Sequence, residues 1–125
     1  LDADPFLESA AQMAKVTVYF KAKCSTCRRT LKLLESLGHE LDPRDLDEYP
    51  PPRSLLETHI DAKNVKAYLN TRSTAYRDHG LKEDPPTKKG AIELMMRDPG
   101  LIKRPVVVKG KVAVFGYDEK ALREL

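Results

Sequence analysis

The 125-residue sequence has no tryptophan, few other aromatics and only two cysteines. No apolar run is long enough to span a bilayer, and no segment reads as a signal peptide. Internal repeats and low-complexity tracts are also missing, which argues against a solenoid. Lysine and arginine together number 22, but they are scattered rather than gathered in a block, and aromatic residues make up only 6%. Direct nucleic-acid binding draws on basic patches and stacking platforms, so this sequence gives it little support. We expect neither a membrane nor a nucleic acid as direct partner.

A hydrophobic fraction of 41% accompanies a charged fraction of 33%. That balance belongs to a packed globule rather than a disordered chain. The length suffices for one modest core and not for two. Residues 1–12 read as a non-native extension ahead of a start at Met13, with 13–125 as a single domain. The alternative is a genuine N-terminal helical arm, in which Phe6, Leu7 and Ala10 share a face. The formal net charge is +3, and residues 1–12 hold Asp2, Asp4 and Glu8, so the remainder carries +6. This mild excess favours anionic ligands.

Residues 15–20, Lys-Val-Thr-Val-Tyr-Phe, are rich in β-branched and aromatic side chains and read as a buried strand. Leu31, Leu33, Leu34 and Leu37 then follow at helical spacing, with Gly38 where a helix ends. Residues 39–46 read as a second strand, parallel to the first. Pro50-Pro51-Pro52 leads into a helix over 54–60, and a longer helical stretch is expected over 62–81. Residues 87–97 form another helix, with Ile92, Leu94, Met95 and Met96 as its apolar side, stopped by Asp98-Pro99-Gly100. Residues 105–108 and 112–115 flank Lys109-Gly110-Lys111 as a hairpin, and Asp118 caps a closing helix through Leu125. The order is βαβ, a helical block, then ββα. That is an α/β thioredoxin-like arrangement, a mixed four-stranded sheet with a helical insertion.

Between the first strand and helix lies Cys24-Ser25-Thr26-Cys27. A bridge closing so small a loop removes little chain entropy, so stapling does not explain the pair. We expect a reducing, cytoplasmic compartment, where such a pair is catalytic or metal-binding. Cys24 should stand at the mouth of the helix, where unpaired N–H groups and the helix dipole favour a thiolate. Lys23, Arg28 and Arg29 should add positive charge, so a lowered Cys24 pKa is expected. Cys27, one turn further in, suits a buried resolving thiol. Zinc would need two more ligands, and His39, His59 and His79 stand at no recognised spacing; no metal is expected. Two inert core cysteines are the remaining alternative.

Three segments in order, Val18-Tyr19 leading into Lys23-Cys24-Ser25-Thr26-Cys27-Arg28-Arg29, Leu69-Asn70-Thr71-Arg72-Ser73 and Ile102-Lys103-Arg104-Pro105-Val106, carry a resemblance. They resemble the ArsC/Spx/YffB family, the arsenate-reductase-like branch of the thioredoxin superfamily. Gly116-Tyr117 fits as well. The resemblance implies a nucleophile at Cys24, a cis peptide bond before Pro105 that faces the cysteine turn, and Arg104 as an oxyanion or carboxylate clamp. It further implies a substrate- or anion-binding role for Arg72 and for Pro105. Departures from the arsenate-reducing pattern are the stretch Phe20-Lys21 in place of a histidine and asparagine, and Val114-Phe115-Gly116 in place of a third arginine. Asn70 falls near the position of the middle arginine, and Cys27 where the arsenate enzymes carry no resolving cysteine. The pattern leans to the Spx and YffB branches.

Three functions follow. One is a thiol–disulfide oxidoreductase in which Cys24 attacks and Cys27 resolves, acting on a small thiol substrate, with no bound cofactor and with glutathione as co-substrate. Another is an arsenate reductase linked to glutathione and to glutaredoxin or thioredoxin, with an oxyanion as substrate. The last is a redox-sensing regulator of the Spx kind that binds RNA polymerase.

Overall fold

The computed structural model describes residues 15–125, so the reading of residues 1–12 lies outside the described residues. Strand β1 (Lys15–Phe20) leads through the cysteine turn into helix α1 (Ser25–Ser36), and strand β2 (Glu40–Asp45) follows. Helices α2 (Arg53–His59), α3 (Thr74–Asp78) and α4 (Lys88–Arg97) form the insertion, with 3-10 turns at Val65–Tyr68 and Pro99–Leu101. Strands β3 (Val106–Lys109) and β4 (Val112–Phe115) and helix α5 (Glu119–Arg123) complete the chain.

The four strands lie in the order β2-β1-β3-β4. The α1 crossover brings β2 parallel to β1, with Val16 opposite Leu41. β3 runs antiparallel to β1, Val18 opposite Val107, and pairs with β4 as a hairpin turning at Gly110, whose φ is +60°. Only glycine adopts such a left-handed turn conformation without cost.

Alternation along the strands sends side chains to two faces, and each face has its own core. Val16, Val18, Val107 and Val114 pack with Leu34 of α1 and Leu122 of α5. Tyr19 and Val106 face the other way, against Leu56, Leu69, Ile92, Met95, Leu101 and Ile102 from the insertion and its return. Without the insertion the second face of the sheet would lie bare. Each large apolar side chain so covered contributes roughly 1.5–3 kcal/mol.

Helix α1 starts and stops on local chemistry. Cys24 is its N-cap, with φ −97° and ψ 111°, and its sulfur accepts the Cys27 N–H at 3.1 Å. Gly38, at φ +85°, ends it, and the His39 N–H returns to the Leu34 carbonyl at 3.2 Å. This is the glycine-terminated closure expected where a helix must reverse.

The structure corrects three expectations. Residues 62–81 are not one helical stretch. The chain makes a 3-10 turn, leaves it at Leu69 to bridge Ile102, and re-enters a helix only at α3. A tertiary bridge outweighs local helix preference there, and Ser73 restarts the helix by accepting the Tyr76 N–H at 3.1 Å. Met95 is core but Met96 is 37% exposed, because a helix rotates consecutive residues onto different sides. The closing helix caps on Asp118 as expected, yet ends at Arg123, short of Leu125. Among the histidines, His59 is the last residue of α2 and His79 is the C-cap of α3.

Candidate active site

Cys24 sits where β1 hands over to α1. Its backbone N–H donates to the Lys21 carbonyl at 3.2 Å, and its carbonyl accepts the Arg28 N–H at 3.1 Å. The sulfur is therefore held at the start of the helix, half-buried, while Cys27 is fully buried in the first turn. Both are free thiols.

Their ionisation is pulled apart. Partial burial is the largest single influence on Cys24 and pushes its pKa up. Hydrogen bonds from the Cys27 thiol and N–H, with the Arg104 guanidinium acting as donor and as charge, outweigh it, so the thiol stands below its ordinary value. Cys27 is pushed up to about 12, first by burial and then by its hydrogen bond to Cys24. One thiol is biased toward the anion and its neighbour toward the protonated donor.

The charge that acts on Cys24 is not the one its neighbours in sequence suggested. Arg28 turns back to donate to the Ala22 carbonyl at 2.9 Å, and Arg29 lies over the Tyr117 ring at 4.3 Å from its centroid. Arg104, eighty residues away along the chain, faces the sulfur instead. Lys21 lies near Arg104 and is held by Asp47 and Asp45, whose charges raise its pKa, the hydrogen bond with Asp47 leading.

Cys24 opens onto a cleft of about 990 Å³ between the cysteine turn, residues 64–75 of the insertion and residues 98–104. Arg72 and Arg104 both line it, together with Lys23, Lys66 and Lys103, while Asp98 is the single acid among its lining residues. Pockets that hold small organic ligands span roughly 300–1,000 Å³, so a molecule well beyond a tetrahedral oxyanion fits. The Arg104–Pro105 bond is cis, as the resemblance implied. Pro105 itself is buried behind the cleft, its carbonyl accepting the Gly116 N–H at 2.8 Å. The structure thus brings Cys24, Arg72 and Arg104 to one surface, with Cys27 and Pro105 in the layer beneath.

Asn70 escaped the sequence reading as a builder of this site. Its backbone N–H donates to the Leu101 carbonyl at 2.7 Å, and its side-chain Nδ2 donates to the Gly100 carbonyl at 3.2 Å. Its Oδ1 accepts the Arg72 N–H at 3.2 Å, and its carbonyl accepts the Ser73 hydroxyl at 2.7 Å. One residue therefore ties the arm bearing Arg72 to the segment bearing Arg104. The available signal was Asn followed three positions later by a capping Ser, a side-chain turn leading into a helix.

Among the described residues no cluster of three or more His, Cys, Asp or Glu side chains is placed to hold a metal ion. No described helix is long and apolar enough to cross a membrane.

A mixed sheet between helical layers, with a Cys-x-x-Cys turn capping the first helix and a cis-proline strand beside it, defines a thioredoxin-like thiol protein. The chain belongs to the ArsC family, whose sequence profile matches residues 19–125. It is 32% identical to YusI of Bacillus subtilis over 87% of this chain and 96% of that protein. An arsenate reductase of Acidiphilium multivorum is 35% identical over 77% of this chain and 70% of its own length. The global transcriptional regulator Spx of Listeria innocua is 26% identical over 86% and 84%. Among solved structures, a possible arsenate reductase from Streptococcus mutans superposes with a TM-score of 0.73 at 36% identity, over 82% of this chain and 90% of that one.

Proposed function

We propose that the chain is a thiol–disulfide oxidoreductase in which Cys24 is the nucleophile and Cys27 the resolving thiol. The observation that carries this reading is the placement of the Cys24 sulfur, accepting an N–H at a helix mouth and facing Arg104, with Cys27 buried and protonated one turn away. The Cys24 thiolate attacks one sulfur of a substrate disulfide, forms a mixed disulfide and expels the other half as a thiolate. Cys27 then gives up its proton to the medium and attacks the Cys24 sulfur, releasing the second half and leaving a Cys24–Cys27 disulfide. An external thiol, glutathione or a dithiol protein such as glutaredoxin or thioredoxin, returns both cysteines to the reduced state in a cytoplasmic setting. Arg72 and Arg104 hold an anionic group of the substrate.

The test is a Cys27→Ser variant incubated with glutathione disulfide and followed by intact mass. A stable glutathione adduct on Cys24 is expected, and in the unsubstituted chain alkylation should show Cys24 titrating below the free-thiol value of about 8.5 and reacting well ahead of Cys27. Equal reactivity of both cysteines, with ordinary titration, would overturn the reading.

The arsenate reductases among the relatives favour a second reading, in which arsenate is the oxyanion that meets Cys24. Arsenate-dependent consumption of glutathione above a Cys24→Ser control would support it, and no such turnover would remove it. Similarity to Spx favours a third, a redox-sensing regulator. Co-purification with RNA polymerase subunits in one redox state supports that reading; failure in both states rejects it.

A further inference from the structure

Lys103 and Arg104 are consecutive, and in a regular strand they would point to opposite faces. Both nevertheless line the cleft above Cys24. The reason lies in Gly116. A Cβ built there would stand 2.6 Å from Cε of Lys103, 3.2 Å from Cδ and 3.5 Å from Cγ. The lysine stem is therefore laid directly across the bare Cα of Gly116. Two backbone bonds hold the arrangement from either side. The Lys103 N–H donates to the Tyr68 carbonyl at 3.0 Å, and the Gly116 N–H donates to the Pro105 carbonyl at 2.8 Å. Gly116 is buried and has φ +84°, so a side chain is excluded both by backbone conformation and by the space the lysine occupies.

We propose that Lys103, seated on Gly116, is a specificity-determining residue that selects an anionic substrate for Cys24. Arg104 acts on the sulfur itself, as donor and as charge. Lys103 lines the same cleft with its stem laid over Gly116, so its ammonium stands where a ligand approaches Cys24. Its stem is apolar and packed, its head is a compact charge, and the residue is exposed at the rim. Such a cation adds affinity for a carboxylate arriving beside the reacting sulfur without changing the chemistry of that sulfur.

The inference rests on Cys24 being the reactive thiol, and a pair of disulfide probes separates the two claims. Dithiobis(nitrobenzoate) carries a carboxylate on each half, and dithiodipyridine is neutral. In both reactions the Cys24 thiolate displaces one aryl thiolate and Cys27 displaces the second, so two aryl thiolates appear per chain as the cysteines become a disulfide. At low salt the reduced full chain should favour the anionic probe. Lys103→Met keeps the stem and removes the charge. It should lower the ratio of anionic to neutral rates roughly two- to fivefold, the range of one exposed ion pair. The neutral rate and the pH profile of Cys24 should stay as they were. Lys103→Arg should restore the ratio, and added salt should erase the difference. Gly116→Ala should lower the ratio with the lysine still present, because the stem is displaced. Should that variant fail to fold, the Met and Arg pair decides alone. An unchanged ratio in Lys103→Met, or an equal fall with both probes, overturns the proposal. A wild-type Cys24 that is slow toward the neutral probe and titrates as an ordinary thiol overturns the underlying reading instead.

Discussion

Cys24 and Cys27 are chemically identical and three residues apart, yet the fold drives their titration in opposite directions. The difference is one of partners. Cys24 receives donors from Cys27 and Arg104, whereas Cys27 is enclosed and lends its proton to Cys24. Burial alone would have raised both. Removing the guanidinium isolates the electrostatic share. Arg104→Gln is expected to raise the Cys24 pKa, though not to that of a free thiol, because the backbone donor at the helix mouth remains. Alkylation rate against pH measures this directly. An unmoved midpoint would mean that the helix mouth alone holds the thiolate. Lys21 shows the complementary case: Asp47 and Asp45 hold its ammonium, leaving Arg104 as the cation that faces the sulfur.

Helix α1 supplies the cap that orients Cys24, and Thr30, buried in its middle, satisfies its hydroxyl on the Thr26 carbonyl at 2.8 Å. The insertion contributes in a different way. Its central arm is short and irregular, and it is held in place by hydrogen bonds to residues about thirty positions on. Asn70 is the hinge of that attachment. Asn70→Ala leaves the Gly100 carbonyl and the Arg72 N–H without their partner, and should cost about 1–2 kcal/mol in denaturant unfolding. Amide exchange at Arg72 should accelerate more than exchange in β1. A uniform change across both segments would show that Asn70 supports the whole core rather than this arm.

Across the whole molecule, the sheet carries one core per face, and the paired cysteines lie at the end of its central strand. Their shifts make stability depend on pH. A thiol whose folded pKa is lowered contributes stability in full above its unfolded value, near 8.5, and loses it as pH falls through the folded value. This is the Cys24 contribution. Cys27 keeps its proton in the fold up to about 12, while the unfolded chain releases it near 8.5, so its effect is a loss of stability as pH rises through that window. The reduced protein should therefore gain stability from the pair up to about pH 8.5 and lose it beyond, by at most about 1.4 kcal/mol per pH unit from each thiol. Chemical denaturation across pH checks both limbs. Cys24→Ser should flatten the rising limb and Cys27→Ala the falling one, judged on slopes so that the cavity left by the alanine does not enter.

What the sequence determined alone is whatever a few neighbouring residues decide. The β-branched run of β1, the leucine spacing of α1, the glycine at its end, the Gly110 hairpin and the cap at Asp118 are all local, and all are legible because each acts within one turn or one strand. The identity of the cysteine turn was equally plain. Only the tertiary structure decided that residues 62–81 break at Leu69, that Asn70 joins two arms, that Arg104 rather than Lys23, Arg28 or Arg29 faces the sulfur, and that Lys103 rests on Gly116. Hydrogen bonds and charges act through space over a few ångströms, and the chain brings such partners together only after the sheet and its insertion have closed around them.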